Sequence, residues 1–375
     1  MSINETMFGI APEYYSPIYN IVVAVLSILV FSQYANRSDD RLEDVPDQPS
    51  LGVALFTVLM IIFIGLRPVS EKYFVDMATY DAAYGVLKGH DFVYYGGPGT
   101  NLLFDSLFGF LASKDVPVTY FFFIIAAIYF IGISLACCML FPKDKMASVL
   151  VYLSAFSTFA YGTNGIKAGA AAAFFLVAVA LYERRQWVWV VILLLVSYGF
   201  HHAMIMPIVA FVACLVVKNP KVYLIFWVVC FFISLFHITF FQELMANFID
   251  EQGAGYLLGD GGYVKADFLG GFRIDFILYS VIPIIVGIIA VEQKKIQSDT
   301  YLFLLNLYTL TNAVWLLCMY ADFTNRIAYL SWMLFPIVLI YPFLNEEWEG
   351  PRYKIFQWVV YGHLVFNLFM AFIYW

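Results

Sequence analysis

The sequence predicts an all-α protein that crosses a membrane many times. Hydrophobic residues make up 63% of its 375 positions and charged residues only 13%, whereas a soluble domain is about half apolar and about a quarter charged. The apolar residues fall in runs long enough to span a bilayer as helices, not in the short alternating segments of a membrane β-barrel. These two observations place the chain among polytopic helical membrane proteins.

Apolar runs divide the whole chain, residues 1–375, into about twelve predicted transmembrane helices of a single membrane domain. The runs lie at about 17–34, 50–66, 117–141, 146–161, 168–182, 187–200, 203–217, 221–240, 274–291, 300–319, 326–344 and 355–374. Within the segment 67–116, the stretch Asn101–Ala112 is too short to span a bilayer and carries Asp105. We expect this stretch to form a short interfacial or re-entrant helix.

Lysine and arginine are distributed unequally between alternate loops, and this asymmetry predicts the orientation. One set of loops carries twelve of these residues, mostly in short turns such as Glu183-Arg-Arg, and the other set carries eight over longer segments. Because basic loops remain in the cytoplasm, we expect the first set inside the cell and both chain ends outside. The outer side then holds two long loops, 67–116 and the glycine-rich 241–273, and functional residues are expected there.

The four consecutive runs between residues 146 and 217 are short. At about fifteen residues each they would extend roughly 22 Å at 1.5 Å per residue, less than the hydrocarbon core of roughly 30 Å. Polar turns below the membrane surface survive only against water or protein. We therefore expect a vestibule that opens to the outer side; helix tilt with local thinning of the bilayer is the alternative.

Isolated polar residues near span ends on the outer side form the candidate site. Arg67 ends an apolar run, and an arginine costs about 2.5–3.5 kcal/mol at a bilayer centre, so we expect it to meet an anion such as phosphate, which its planar donor fork fits. The same predicted side carries Asp76, Tyr80, Asn164, Lys167, His201, His202, Arg273, Asp322, Asn325 and Arg326. The alternatives are snorkelling to the headgroups and local pairing of Arg273 with Asp275 and of Arg326 with Asp322.

The adjacent histidines His201 and His202 could supply a general base or bind phosphate. No metal site is expected, because no pair of His, Asp or Glu residues facing the cavity has helical i, i+4 spacing. The chain has no phosphate-binding loop, no dinucleotide fingerprint and no long basic cluster, so neither a nucleotide cofactor nor nucleic acid is expected. A donor carried on a lipid is the natural alternative for a site on the outer face.

Short motifs in a fixed order resemble those of the EpsG/Wzy-like polysaccharide polymerases of bacterial inner membranes. They are Gly65-Leu-Arg67 followed by Asp76-x-x-x-Tyr80, then Asn164-Gly-Ile-Lys167-Ala-Gly-Ala-Ala, Phe200-His201-His-Ala-Met and Asn325-Arg326-Ile-Ala-Tyr329. The sequence departs from the family pattern in three places. Lys167 stands where the family usually has arginine, Ala168 where it has glutamine, and Glu71-Lys72 precede Asp76 where a glycine is common.

The resemblance implies a fold similar to the large membrane glycosyltransferases of the GT-C type. It implies a polymerase of O-antigen, capsule or exopolysaccharide repeat units, which transfers a growing glycan from undecaprenyl diphosphate to an incoming lipid-linked unit at the periplasmic face of the inner membrane. A flippase and a chain-length regulator would be partners, and no cofactor is implied. Under this hypothesis the catalytic residues are Arg67, Asp76, His201 and Arg326. The substrate-binding residues would be Tyr80, Asn164, Lys167, His202, Arg273, Asp322 and Asn325.

Three other functions stay open at this point. A ligase would move finished glycan from the lipid diphosphate to a different acceptor. A membrane O-acyltransferase would use the histidine turn as its base. A flippase or transporter would move lipid-linked oligosaccharide without chemistry, and such proteins feature broken spans near the midplane and internal repeats; no repeat is evident in this sequence.

Overall fold

The computed structural model describes residues 9–37, 46–92, 100–246 and 271–374. Within these ranges all regular structure is helical, so the all-α prediction is confirmed. The described residues divide into two compact units, one whose residues fall within 1–96, 101–203 and 343–375 and one whose residues fall within 97–100 and 204–342. The single membrane domain stays a prediction, because one membrane domain can contain more than one compact unit.

Seventeen α-helices lie in the described residues. The first nine are α1 (Tyr15–Ser32), α2 (Leu51–Gly65), α3 (Val75–Leu87), α4 (Leu102–Ser113), α5 (Val118–Leu140), α6 (Lys145–Ser154), α7 (Phe156–Thr163), α8 (Ile166–Glu183) and α9 (Trp187–Phe200). The others are α10 (Ile205–Val216), α11 (Pro220–Leu235), α12 (Phe240–Ala246), α13 (Ile274–Ile288), α14 (Asp299–Leu317), α15 (Thr324–Trp332), α16 (Phe335–Leu344) and α17 (Arg352–Phe369). Single π-helical turns, Ile289–Gln293 and Met370–Tyr374, extend α13 and α17.

Seven helical segments of the described chain are long and apolar enough to cross a membrane, and the bent pair α6–α7 makes an eighth if it is one span. The seven are Pro12–Asn36, Val118–Leu140, Ile166–Glu183, Ile274–Gln293, Asp299–Leu317, Thr324–Leu344 and Arg352–Ile373. Four of the predicted spans are shorter apolar helices, namely α2, α9, α10 and α11. The multi-span prediction is thus confirmed in outline, and the count of twelve stays a prediction. The stretch Asn101–Ala112, for which a short helix was predicted, forms the helix α4.

In the first unit, small side chains let helices approach closely. α8 packs against both α5 and α9, and its alanine-rich first half is buried. A Cβ atom added at Gly132 of α5 would lie 2.6 Å from the Cβ of Ala173 on α8. Membrane helices associate through such small-residue contacts because lipid removes the hydrophobic drive for helix pairing. The sequence of α8 therefore selects a buried position beside α5.

The pair α6–α7 is bent by 75° at its break. The backbone is extended at Ala155, with ψ of 128°, and this interrupts the helical hydrogen bonds. Part of the interruption is compensated from α17, because the side-chain oxygen of Asn367 accepts a hydrogen bond from the Phe156 N–H at 2.7 Å. The bend directs α7 toward the turn that precedes α8.

A buried ion pair fixes the opposite end of α6. Asp144, 1% exposed, accepts hydrogen bonds from the Arg37 guanidinium and, at 2.6 Å, from the Tyr34 hydroxyl. The guanidinium also lies 4.4 Å from the ring centroid of Tyr353 on α17. The end of α1, the start of α6 and the start of α17 therefore meet at one buried ion pair.

In the second unit, α14 is the central helix. It packs against α10, α11, α13 and α15. Its buried Asn312 joins two neighbours, since its Oδ1 accepts from Trp227 Nε1 of α11 at 2.8 Å and its Nδ2 donates to Ser331 Oγ of α15 at 3.0 Å. The buried amide of Asn312 is thus satisfied between helices, as a core of this kind requires.

Replacement of Gly132 by leucine is expected to destabilise the protein, because the new side chain would overlap Ala173. Overpacking of this kind costs about 1–3 kcal/mol. Gly362→Leu is the matched control, since Gly362 is also helical and nothing lies within 4 Å of an added Cβ there. Thermal unfolding of both purified variants in detergent measures the effect. Equal transition temperatures for the two variants would contradict the packing described for α5 and α8.

Candidate functional site

Arg67 links the end of α2 to the turn between α7 and α8. Its Nη1 donates to the carbonyl oxygen of Ile64 and its Nη2 to the carbonyl oxygen of Thr163, each at 2.7 Å. The guanidinium carbon lies 5.2 Å from the ring centroid of Phe74 and 5.9 Å from that of Phe122. The side chain is 2% exposed. Arg67 therefore acts as a buried brace for the Thr163–Asn164 turn.

The guanidinium carries its charge into this buried position. Burial lowers its pKa from 12.5 to about 9, an effect that nearby Tyr15 slightly opposes, so Arg67 keeps its proton at neutral pH. No carboxylate among the described residues forms an ion pair with it, and its Nε is buried without a hydrogen-bond partner there. Carbonyl dipoles and aromatic faces stabilise the charge instead, which leaves a positive field near the turn.

Glycines allow the turn to be tight. A Cβ at Gly169 would lie 2.7 Å from the carbonyl oxygen of Tyr161, and one at Gly165 would lie 2.9 Å from the ring of the same tyrosine. α8 can therefore begin directly against α7. This close start places Asn164 in the turn and Lys167 on the first turn of α8.

Lys167 faces α4. Its Nζ lies 3.8 Å from Asp105 Oδ1, and the two side chains are 24% and 39% exposed. The same ammonium lies 5.1 Å from the ring centroid of Phe104. An ion pair that is this long and this exposed stabilises the fold by at most about 1 kcal/mol, so Asp105 is a weakly held counter-ion that an anionic ligand could replace.

Asn101 and Asp105 join α4 to the histidine turn. Asp105 Oδ2 accepts from the Asn101 N–H at 2.7 Å, and Asn101 Oδ1 accepts from the His202 N–H at 2.9 Å. His201 is the extended residue at which α9 ends, with φ of −157°, and the imidazole of His202 stacks on Tyr198. Sequence reasoning did not select Asn101 or Asp105 as site residues. The sequence did contain one signal for them, because Asp105 is a lone carboxylate in an apolar stretch that begins after Asn101.

α3 contributes the two remaining predicted residues of the first unit. Asp76 lies in the first turn of α3, half-buried. The ring of Tyr80 lies 5.6 Å from that of Phe104, the ring that Lys167 also approaches. The first unit thus brings together Tyr80, Lys167 and His202 through α4, and Arg67 and Asn164 through the turn before α8.

The other predicted residues belong to the second unit. Arg273 pairs with Asp275, with Nε and Nη2 at 3.0 and 2.6 Å from its carboxylate oxygens, which is the local pairing considered as the alternative. Arg326 is exposed at the start of α15, and its guanidinium carbon lies 5.0 Å from the ring centroid of Phe323. Asp322 and Asn325 are half-buried. The glycine-rich part of the predicted loop 241–273 lies outside the described residues, apart from Gly271.

Two asparagines of the predicted motifs present unfilled acceptors. Asn164 Oδ1 and Asn325 Oδ1 are buried and have no hydrogen-bond partner within the described part of the chain. Buried polar atoms are normally satisfied, so each is suited to accept a hydrogen bond from a hydroxyl of a bound ligand. In the same described ranges, no three His, Cys, Asp or Glu side chains assemble as a metal-ligand set.

These observations define a multi-pass helical membrane protein whose polar side chains gather at the turns between helices. A family model described as the EpsG family matches residues 51–375. The chain belongs to the EpsG family, because the match covers most of its length. No curated protein and no solved structure matches it. Family membership supports a role in polysaccharide polymerisation in general, at a membrane and with a lipid-linked saccharide as the substrate.

Arg67→Lys is expected to lower the free energy of unfolding by about 1–3 kcal/mol, because one ammonium cannot replace both nitrogens and would leave a buried carbonyl unpaired. The matched control is Arg184→Lys, since Arg184 also donates to a carbonyl oxygen, at 3.2 Å, but is exposed. Chemical denaturation in detergent measures both. An Arg67→Lys variant as stable as Arg184→Lys would rule out the brace.

Proposed function

We propose that this protein polymerises oligosaccharide repeat units carried on undecaprenyl diphosphate. It transfers the growing glycan from its lipid diphosphate to an incoming lipid-linked unit at the periplasmic face of a bacterial inner membrane. The observation that carries the proposal is the position of Lys167, on the first turn of a helix whose preceding turn is braced by Arg67, in a chain of the EpsG family. Twelve spans and a GT-C-like arrangement are part of the proposal, as are a flippase and a chain-length regulator as partners.

Charge development on the leaving diphosphate is the step that Lys167 would assist. In the reaction, the acceptor hydroxyl oxygen bonds to the anomeric carbon, and the bond from that carbon to the diphosphate oxygen breaks. The diphosphate leaves with the electron pair and so gains negative charge. A fixed ammonium stabilises that charge most in the transition state. The long contact between Lys167 and Asp105 supports this role, because the phosphate can take the place of the carboxylate.

Arg67 would act by positioning other residues rather than by contacting the substrate. Its terminal nitrogens are occupied by two carbonyl oxygens and its side chain is 2% exposed, so we assign it to holding Asn164 and Lys167 in place. Asn164 Oδ1 would then accept a hydrogen bond from a sugar hydroxyl. Tyr80 offers an aromatic face beside Phe104 on which a sugar ring can pack.

The acceptor proton must pass to a base, and two candidates remain. Asp76 offers a half-buried carboxylate at the start of α3, and His201 an imidazole at the end of α9. Either group can act as a general base when it lies within hydrogen-bond reach of the hydroxyl. His202 would bind substrate beside it, at the turn that Asn101 holds.

The second unit would supply further substrate contacts. Arg273 would exchange its bond to Asp275 for an anionic group of the substrate, and Arg326 is exposed and charged at the start of α15. Asn325 Oδ1 lacks a partner among the described residues and would accept from a hydroxyl, with Asp322 beside it.

Lys167→Gln is expected to slow polymerisation by about 10²–10³-fold, the usual effect of removing one donor to developing negative charge. Lys167→Arg should retain most of the activity, because a guanidinium keeps the charge and its reach. Lys72→Gln, which removes an exposed cation from the loop after α2, is the control and should be neutral. Initial rates of glycan extension with purified protein measure all three. A Lys167→Gln variant at the wild-type rate would remove Lys167 from the mechanism.

The reaction class is tested with the wild-type protein in proteoliposomes. Supplied only with undecaprenyl-diphosphate oligosaccharide and no nucleotide sugar, it should produce a ladder of longer glycans that remain on the lipid. Glycan transferred to a different acceptor without elongation would indicate a ligase, and movement of unchanged oligosaccharide across the membrane would indicate a transporter. Either result would contradict the proposed polymerase.

A further inference from the structure

An apolar groove lies in the second unit, between α11 and α13. Its volume is about 280 Å³. Leu224 and Ile225 of α11 form one wall, Ile284 and Ile288 of α13 form the other, and Leu305 of α14 forms the floor. The groove is lined almost entirely by hydrocarbon.

At the floor of the groove, Gly287 lets α13 approach α14 more closely than a larger residue would allow. A Cβ atom at Gly287 would lie 2.5 Å from Leu305 Cδ1. The one hydroxyl of the lining, that of Thr309, donates to the Leu305 carbonyl oxygen of its own helix at 2.7 Å. Apart from the end formed by Lys221 and Glu292, the walls therefore offer no polar group that would recognise a sugar or a phosphate.

The faces beside the groove indicate what surrounds it. Ile225 on α11 and Leu278 on α13 are 64% and 61% exposed, and Ile274–Gln293 is one of the segments apolar enough to cross a membrane. Exposed aliphatic side chains on a membrane span contact lipid acyl chains. An acyl chain is consequently the apolar group available at this position.

One end of the groove is basic. Lys221 and Glu292 line it and form an ion pair at 3.2 Å. The carbonyl oxygen of Lys218, three positions before Lys221, accepts from Asn306 Nδ2 at 2.9 Å, and the ammonium of Lys295 donates to the carbonyl oxygen of Glu292. Lys294 is the neighbour of Lys295 in the sequence, so four lysines lie at or within three positions of Lys221 or Glu292 along the chain, compared with the two acidic residues Glu292 and Asp299. This end of the groove favours an anionic group.

We propose that the groove binds one acyl chain of an anionic phospholipid, with the lipid phosphate at Lys221. The volume is just below the about 300–1,000 Å³ of typical pockets for compact small molecules, and this suits a slender chain. The basic end supplies the charge complementarity, since lysines near the membrane surface attract anionic headgroups.

The geometry favours a phospholipid over the prenyl chain of the proposed substrate. Arg273 immediately precedes α13, and Glu292, the partner of Lys221, lies in its π-helical turn 19 positions later, which corresponds to about 28 Å at 1.5 Å per residue. Arg273, proposed above to contact an anionic group of the substrate, thus lies at the end of α13 opposite Lys221. A lipid with its phosphate at Lys221 is a different molecule from the donor, and the proposal stands independently of the proposed reaction.

Binding of phosphatidylglycerol to the detergent-purified full chain, measured by native mass spectrometry against phosphatidylcholine, tests the proposal. The wild type should bind phosphatidylglycerol at least about fivefold more tightly. Ile288→Trp should abolish most of this preference by filling the groove. Ile285→Trp is the matched control, since Ile285 lies on the same helix outside the groove lining and is 48% exposed, compared with 38% for Ile288. It should bind as the wild type does.

Charge variants separate a headgroup site from simple insertion of a chain. Lys221→Gln should weaken phosphatidylglycerol binding about fivefold, and Glu292→Gln should strengthen it because Lys221 then loses its competing partner. Unfolding curves of each variant identify any that fail to fold. Equal binding by the two tryptophan variants, or unchanged binding after both charge replacements, would overturn the proposal. Displacement of phosphatidylglycerol by undecaprenyl diphosphate would also overturn it, since the groove would then belong to the substrate.

Discussion

The hydrogen bond from Arg67 to the carbonyl oxygen of Thr163 is the interaction on which this account of the site depends. It connects the end of α2 with the turn before α8, across 96 positions of sequence. A buried guanidinium is costly unless its donors are satisfied, and here two carbonyl oxygens accept from its two terminal nitrogens while two aromatic rings lie beside it. The turn is therefore held in place by a buried, charged side chain.

The position of Lys167 follows from this brace. Glycines at 165 and 169 let α8 start directly against Tyr161, so the lysine emerges near α4 rather than toward lipid. There it meets Asp105, which also fixes Asn101 and, through Asn101, the backbone of His202. Four separate stretches of chain thus converge on a lysine that is only weakly neutralised, as an anion site requires.

Composition and apolar runs predicted the helical membrane fold, because lipid leaves few other ways to satisfy the backbone. The local pair of Arg273 with Asp275 could also be predicted from the sequence, since the residues are two positions apart. The contact between Asn101 and His202 was not, because it joins residues 101 positions apart and one donor is a main-chain N–H. The burial of Arg67 was likewise hidden. A sequence shows an arginine at a span end, but not the carbonyl groups that another helix presents to it.

The central claim is that Arg67 acts on the substrate through the turn that carries Lys167, and a double-mutant cycle tests it directly. Equilibrium binding of undecaprenyl-diphosphate oligosaccharide would be measured for Arg67→Lys, Lys167→Gln and the double variant, each verified as folded. Residues that act through one another are non-additive. The account predicts that the double variant loses less binding free energy than the sum of the two single losses, because part of the effect of Arg67 passes through Lys167. Losses that simply add would show that Arg67 and Lys167 act independently, and would contradict it.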